Sequence, residues 1–339
     1  MTLPQKILII RLSSIGDIVL TTPIVRCMKQ QLPAGTQIHY LTKPAFAGLL
    51  ANNPYIDGLH TLQPSLIRTL QVLRPLQFDF LLDLHHNQRT WLLKMGLGVR
   101  GVSFNKLNWE KWLLTALKID KMPAVHIVER YMSAAARHLP ITNDGQGLDY
   151  FIPPADVVNI ADQLPPVAGQ GNDKPEVSTA PFIAVAIGAA HATKQIPPDK
   201  LVELCQKITR PVLLLGGKDD AATGQFVADN AGTHVRSLCG QLSLNGSASV
   251  LKQAYKVITP DTGLMHIAAA FDKPIAVVWG NTVPVFGMYP YRCSHWRSFE
   301  IKNLPCRPCS KIGHDCCPMK HFNCMKQQSA DAIAEWANK

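Results

Sequence analysis

The sequence predicts an α/β protein made of two doubly wound domains facing each other across a cleft. Three observations carry that prediction. The chain has 339 residues, about twice an ordinary domain. Short apolar runs of strand length alternate with helical stretches in both halves, the mark of parallel β-α-β units. Between the halves, Pro165 to Pro175 is polar and rich in Pro and Gly, as a linker or mobile loop is.

In the first half, Lys6 to Ile10 is a continuous apolar run, which suits a strand buried on both faces. A Ser/Gly loop follows, then a helical stretch through Met28 that Pro23 kinks or restarts. Gln37 to Leu41 and Phe78 to Leu84 are the next strands. In the second half the expected strands are Phe182 to Ile187, Pro211 to Leu215, Lys256 to Thr259 and Pro274 to Trp279. The tail departs from the pattern: Cys306 to Cys324 is dense in Cys, His, Pro and Lys, and a last helix is expected over Ser329 to Asn338. The resulting division is an N-terminal domain over 1–164, a linker over 165–181, a C-terminal domain with its Cys-rich tail over 182–325, and a closing helix over 326–339.

Composition narrows the function. The chain is 47% hydrophobic and 17% charged, which argues against disorder. Its net charge of +10 suits an anionic partner such as a nucleotide, a phosphorylated glycan, a membrane surface or nucleic acid; a basic surface kept for solubility is the plain alternative. No stretch approaches the ~18 apolar residues of a membrane span. The run Ile7 to Ile10 is too short for a signal-peptide core and is stopped by Arg11. The expectation is a cytoplasmic protein, free to sit on a membrane face. In a reducing compartment nine cysteines are free thiols or metal ligands.

Chemistry-bearing residues fall at the ends of expected strands. Ser13-Ser14-Ile15-Gly16-Asp17 follows the first strand; its small residues free backbone N–H groups for an oxygen-rich ligand, and Asp17 adds a carboxylate. Ser and Asp equally serve as helix caps. The loop has no Gly-x-Gly-x-x-Gly fingerprint, which weighs against a nicotinamide enzyme. Asp261-Thr262-Gly263 ends another strand and opens a small-residue helix with His266 one turn in, the arrangement that offers helix N–H groups to a phosphate. A helical His is otherwise an ordinary core residue. Lys194 follows the first strand of the second half and offers an ammonium to a diphosphate, or merely to solvent. Asp219 and Asp220 face ribose hydroxyls or only begin a helix. Asn87 and Arg89 contact an acidic acceptor or flank a helix. Cys306, Cys309, Cys317 and Cys324, with His321 and Cys316 near, would suit tetrahedral zinc, but packing as small hydrophobes is the favoured reading; a redox role is the third.

With these residues in view, the chain resembles glycosyltransferase family 9, the ADP-heptose:lipopolysaccharide heptosyltransferases. Lys6 to Pro23 is similar to the family's opening, with its Ser-Ser-x-Gly-Asp loop. Asp261 to Ala269, with Pro274 and Trp279-Gly280-Asn281-Thr282, resembles its donor signature. Cys306-x-x-Cys309, Cys317-Pro318 and His321-x-x-Cys324-Met325 resemble the tail of a subset of members. The resemblance implies a GT-B fold of two facing Rossmann-like domains, with the closing helix crossing back to the first. It implies an inverting transfer of heptose from ADP-heptose to a lipopolysaccharide inner-core acceptor, with transient association with the inner membrane face. By motif match Asp17 is the general base. Ser13, Ser14, Gly16, Lys194, Asp220, Asp261, Thr262, Gly263 and His266 serve the donor. Two departures touch donor detail: Ile196 stands where a Trp is frequent, and the Gly188 to Thr193 loop lacks a clean hydroxyl pair.

The residue types suit that chemistry. A carboxylate can take the proton of a sugar hydroxyl. Helix amides and a lysine can stabilise a leaving diphosphate without a cofactor. The chain has no Asp-x-Asp triplet, so no metal is expected at the donor. The rivals are a family-9 transferase using another nucleotide sugar, a basic zinc-ribbon protein binding nucleic acid, and a nucleotide-binding protein without catalysis. Dispersed Lys and Arg and the lack of a nucleic-acid motif weigh against the second, and Asp17 weighs against the third.

Overall fold

The computed structural model describes residues 3–165 and 181–339. The expected linker therefore lies, but for its two end residues, outside the described residues. The chain forms two compact units: Met1–Asn108 with Pro123–Phe151, and Trp109–Met122 with Ile152–Lys339. The boundary falls at 151/152 rather than at 164. The short segment 109–122 groups with the second unit, which no composition shift in the sequence signals.

The first unit holds β1 (Lys6–Ile10), α1 (Ile15–Val19), α2 (Thr22–Gln31), β2 (Gln37–Thr42), β3 (Gly58–Thr61), α3 (Leu66–Leu73), β4 (Phe80–Asp83), α4 (Gln88–Leu97) and β5 (Gly101–Ser103). After α5 (Asn108–Trp112), which leads into the second unit's 109–122 segment, it ends with α6 (Ile127–Ala136). Its five strands are parallel in the order β3-β2-β1-β4-β5. Ile7 to Ile10 are fully buried, as a central parallel strand requires. Pro23 sits in the first turn of α2, where its missing N–H costs nothing, so it restarts the helix rather than kinking it.

The second unit runs β6 (Ile183–Ala186), α7 (Pro198–Gln206), β7 (Val212–Leu215), α8 (Ala221–Ala231), β8 (Val235–Ser237), α9 (Leu244–Gln253), β9 (Lys256–Pro260), α10 (Gly263–Ala270), β10 (Ile275–Trp279), β11 (Trp296–Glu300), α11 (Asn323–Lys326) and α12 (Ala330–Asn338). Its six strands are parallel in the order β11-β10-β9-β6-β7-β8. Among the strands the sequence did not announce, β3 is half-buried throughout, while β8 is three residues long and β11 mixes polar with apolar. All three sit at sheet edges, where alternation is weak and burial partial.

The closing helix packs within the second unit. Ile333, Ala334 and Ala337 of α12 belong to the core of the second unit, with Leu201, Leu204 and Cys205 of α7. Its apolar stripe is used up there, and Lys207 on that same surface pairs with Asp331 at 2.5 Å.

In each unit the chain runs to one edge of the sheet from a central strand and then returns to the other side. The reversal lies between β1 and β4 in the first unit and between β6 and β9 in the second. Loops leaving the carboxyl ends of such a pair diverge, which opens a crevice where ligands of open α/β sheets bind.

The first unit is braced by Arg26, 2% exposed on α2. Its Nε and Nη2 donate to Asp144 at 2.7 and 3.0 Å, Nη1 donates to Asp149, and Nη2 also reaches the carbonyls of Gln146 and Gly147. Hydrogen bonding to Arg26 pulls the Asp144 carboxyl down to about 2, while burial pushes Asp149 up. Removing one partner of a buried charge network leaves the other charges uncompensated, typically at a cost of about 3–5 kcal/mol. Arg26→Met is therefore expected to lower unfolding free energy by about that much in a urea titration. Because Asp144 is depressed, its stabilisation is present above the ordinary aspartate value and is lost as pH falls from about 4 through 2. The wild-type midpoint should drop over that window and the variant's should drop less.

Candidate functional site

The first half-site lies at the β1/β4 reversal. β1 ends at Ile10, and Arg11 turns its side chain back over the sheet end. Its Nε donates to the Ser13 carbonyl at 2.8 Å, and Nη1 donates to the Leu84 carbonyl and to the Tyr131 hydroxyl. The remaining Nη2 lies 2.6 Å from Asp17 Oδ1. On the other carboxylate oxygen, Asp17 Oδ2 accepts the Ser14 hydroxyl at 2.9 Å and its backbone N–H at 3.4 Å. Ser14 opens α1 and Asp17 is its third residue, so the helix-cap reading holds. The same carboxylate is partly exposed at the mouth of the crevice, with 19% of its side chain accessible.

Burial alone would raise the Asp17 pKa, but the Arg11 guanidinium and the Ser14 hydroxyl overrule it and hold the carboxyl below its usual value. Tyr40, Tyr131 and His85 complete the titratable surroundings of this pair. His85 follows β4 directly. Burial, then the nearby positive charge of Arg11 and Lys106, pushes its imidazole down to about 4, so it is neutral at pH 7. Its Nδ1 is buried with no hydrogen-bond partner among the described residues.

Of the residues expected to serve the donor, Ser13, Ser14 and Gly16 form this loop, with Gly16 buried under it and Ser14 exposed. Asn87 turns out to be the N-cap of α4: its side-chain oxygen accepts the Thr90 N–H at 2.9 Å. Arg89 stands exposed in the first turn of that helix. Asp83 is structural, its two oxygens satisfied by the backbone N–H groups of His85 and His86 and by Thr90 Oγ1.

The second half-site lies at the β6/β9 reversal. Lys194 closes a short turn after β6, and its ammonium sits 2.7 Å from Asp261 Oδ2 at the end of β9. Thr282, after β10, donates its hydroxyl to the same oxygen at 2.8 Å. Thr262 is the extended N-cap of α10 and makes no side-chain cap bond, so the helix's first amides are not taken by its side chain. Gly263 begins the helix, and His266 is 2% exposed in its first turn.

The two aspartates differ in their surroundings, and Asp220 is the one turned inward. Its Oδ2 accepts the Gly217 N–H at 2.7 Å, and a Cβ on Gly188 would lie 2.1 Å from that oxygen. The carboxylate thus covers the ends of β6 and β7, while Asp219 points to solvent. Ile196, where a Trp was expected, is buried in the core of the unit at 3% exposure.

The cysteine-rich tail is attached to this half-site, a connection the sequence did not reveal. Arg307 donates to the carbonyls of Gly280 and Thr282, each at 2.8 Å, and pairs with Glu300 at 2.7 Å. Thr193, next to Lys194, exchanges bonds with the His314 backbone at 2.8 and 3.1 Å. Gln328 donates to the Trp279 carbonyl at 3.1 Å. Cys306, Cys309, Cys317 and Cys324 meet His321, Thr193 and Asn281 around a cavity of about 10 Å³, room for one water-sized group. Cys306 Sγ lies 3.8 Å from His321 Nε2. Burial and the neighbouring thiols push Cys324 up to about 11, so it is a thiol at neutral pH. Among the described residues, no group of three or more His, Cys, Asp or Glu side chains is arranged to hold a metal ion.

Two parallel α/β units, each presenting its polar side chains at a strand reversal, define a GT-B glycosyltransferase fold. Solved structures bear this out. A family-9 glycosyltransferase from Veillonella parvula superposes with a TM-score of 0.75 at 20% identity, over 99% of this chain and 97% of its own. E. coli ADP-heptose lps heptosyltransferase II gives 0.69 at 19%, over 98% and 100%.

The chain belongs to glycosyltransferase family 9: the family described as "Glycosyltransferase family 9 (heptosyltransferase)" matches residues 66–316. It is 25% identical to lipopolysaccharide heptosyltransferase 1 of Pseudomonas aeruginosa, over 91% of this chain and 86% of that protein. It is also 25% identical to lipooligosaccharide heptosyltransferase 2 of Haemophilus ducreyi, over 83% and 85%. The protein is thus a glycosyltransferase.

Two predictions follow from this geometry. Arg11→Met removes the charge that holds the Asp17 carboxyl down and leaves only the Ser14 bonds to oppose its burial. The Asp17 carboxyl should then titrate at a higher pH than in wild type, as read by NMR across a pH series. Arg11→Lys should restore most of the wild-type profile. Separately, Arg307→Met touches no ligand-facing group but frees the Gly280 to Thr282 loop. Unfolding free energy in a urea titration should fall by about 1.5–3 kcal/mol, the contribution of one hydrogen bond to a charged group.

Proposed function

We propose that this protein transfers heptose from ADP-heptose to a lipopolysaccharide inner-core acceptor, with inversion at the anomeric carbon. The observation that carries the proposal is the Lys194–Asp261–Thr282 cluster at the uncapped start of α10, in a chain that also presents the ionised Asp17. The names of its relatives support the sugar and the acceptor, since proteins named lipopolysaccharide heptosyltransferase 1 and lipooligosaccharide heptosyltransferase 2 are similar to it. Support for the donor comes from similar E. coli structures described with ADP and with ADP-2-deoxy-2-fluoro heptose.

In the proposed reaction the acceptor hydroxyl gives its proton to Asp17 as its oxygen bonds to the anomeric carbon. The bond from that carbon to the diphosphate oxygen breaks, and ADP leaves. Lys194 and the first amides of α10 stabilise the charge that gathers on the diphosphate. His266 supports that helix turn, and Asp220 faces the ribose. Beside Asp220, a groove of about 460 Å³ lined by Lys218, Ser237 and Gly240 has space for a nucleoside. We propose no metal or other cofactor for this step, and we place the enzyme in the cytoplasm, at the inner membrane face where a lipid-linked acceptor is met. Among the described residues, no helix is long and apolar enough to cross a membrane.

The test is turnover with ADP-heptose and a panel of truncated core acceptors, with other nucleotide sugars as competitors. Asp17→Asn should lower kcat by about 10²–10⁴-fold with ADP binding kept. Lys194→Ala and His266→Ala should weaken ADP binding, and EDTA should leave turnover unchanged. Asp17→Asn within threefold of wild type removes the assigned base, and preference for another donor transfers the reading to a different family-9 activity.

A further inference from the structure

The segment Trp109–Met122 of the second unit has an unusual surface. α5 runs on from Trp112 through one π-helical stretch to Leu117. Leu114 is its buried anchor at 8% exposure, but Trp109 and Trp112 are 65% and 47% exposed, and Leu117 and Ile119 are 53% and 45% exposed. The two indoles stack on each other, with centroids 5.0 Å apart and planes 20° apart, so they form one flat apolar plate. Four large apolar side chains within eleven residues exceed what scattered surface exposure explains.

The segment is fastened to the cysteine-rich tail. Lys118, at the helix end, donates its ammonium to the carbonyls of Pro308 at 2.7 Å and Cys306 at 3.3 Å. The tail adds exposed Ile312 and Met319. The two joined segments are also basic: Lys121 in the first and Lys302, Lys311, Lys320 and Lys326 in and beside the tail are all exposed, against exposed Asp120 and Asp315.

We infer that the Trp109/Trp112 plate, with the exposed lysines of its own segment and of the tail fastened to it, docks on an anionic phospholipid surface. The inference deepens the proposed function, in that it rests on an acceptor carried in a membrane. The chemistry selects the occupant. Indoles settle where an apolar ring meets polar headgroups. Lysines around an apolar centre extend their ammonium groups to lipid phosphates. A second copy of the chain fits less well, because a two-fold contact places the same patch against itself and would set lysine against lysine.

Flotation with vesicles of phosphatidylcholine, with and without phosphatidylglycerol, tests the idea on the full-length protein without any sugar substrate. Wild type should float with the phosphatidylglycerol vesicles, fall away at high salt, and shift its tryptophan emission to the blue. Trp109→Ala/Trp112→Ala should lower partitioning by about tenfold or more. Lys311→Glu/Lys320→Glu, which alters only exposed side chains, should do the same with the thermal midpoint unchanged. Turnover with a deacylated, water-soluble acceptor should be the same in all three proteins. Absence of wild-type binding, or wild-type binding in both variants, overturns the inference. So does a concentration-dependent dimer, seen by sedimentation, that the tryptophan variant loses. Vesicle binding without any turnover would refute the proposed function and leave the membrane surface standing.

Discussion

The constraint on which the rest depends is that both sheets are parallel and covered on both faces. Every strand of their centres must then be apolar along its whole length, and the interior of β1, β6, β9 and β10 has almost no place for a functional side chain. Polar chemistry is displaced to the carboxyl ends of the strands, and the change of winding direction decides which ends are open. Arg11, Asp17 and His85 gather at one such reversal, and Lys194, Asp261 and Thr282 at the other. The same logic explains why neighbouring polar groups such as Asp83 are structural. Asp83 lies one position before the open end and is closed over by its own loop.

The tail shows a second way of holding a site. Loops that end strands lack the regular bonds that stiffen helices and sheets, so their carbonyls need partners from elsewhere. Arg307 and Gln328 donate to the carbonyls of Thr282 and Trp279, and the His314 backbone bonds the Thr193 hydroxyl. The four cysteines sit around a cavity that two residues of those loops, Thr193 and Asn281, also line. The tail is therefore part of the second half-site's scaffold, even though it follows the last strand and none of its residues was expected to touch that site.

Much of the architecture could be read from the chain because burial writes itself into composition. Seven buried strands were legible as apolar runs, and the opening of α10 as a small-residue helix start after a strand end. The edge strands β3, β8 and β11 were not, since a short half-buried strand has no pattern to distinguish it from loop. Sequence also could not separate the cap role of Asn87 from ligand contact, because both ask for the same amide. Arg11 was visible only as the charge that stops an apolar run. A basic residue at a buried strand end, beside a carboxylate loop, is the signal that would have marked it. The packing of the last helix was not legible either, since nothing in the sequence pairs the apolar stripe of α12 with α7.

The two half-sites share a feature that bears on how such chemistry is switched on. Each working charge is held by an opposite one: Asp17 by Arg11 at 2.6 Å, and Lys194 by Asp261 at 2.7 Å. On the proposed reading of Asp17 as the base, the pairing weakens basicity but secures the ionised form and its orientation, and a base that is protonated cannot act at all. For Lys194 the pairing orients an otherwise flexible ammonium, whose rotamer entropy would have to be surrendered on binding. A diphosphate arriving at the start of α10 brings more charge than the single carboxylate it competes with. On the proposed reading the lysine therefore moves its bond to the ligand, and Asp261 keeps the Thr282 hydroxyl as a partner rather than being left bare. A preformed pair that is exchanged, instead of a charge that must be ordered anew, lets binding energy go to the transition state.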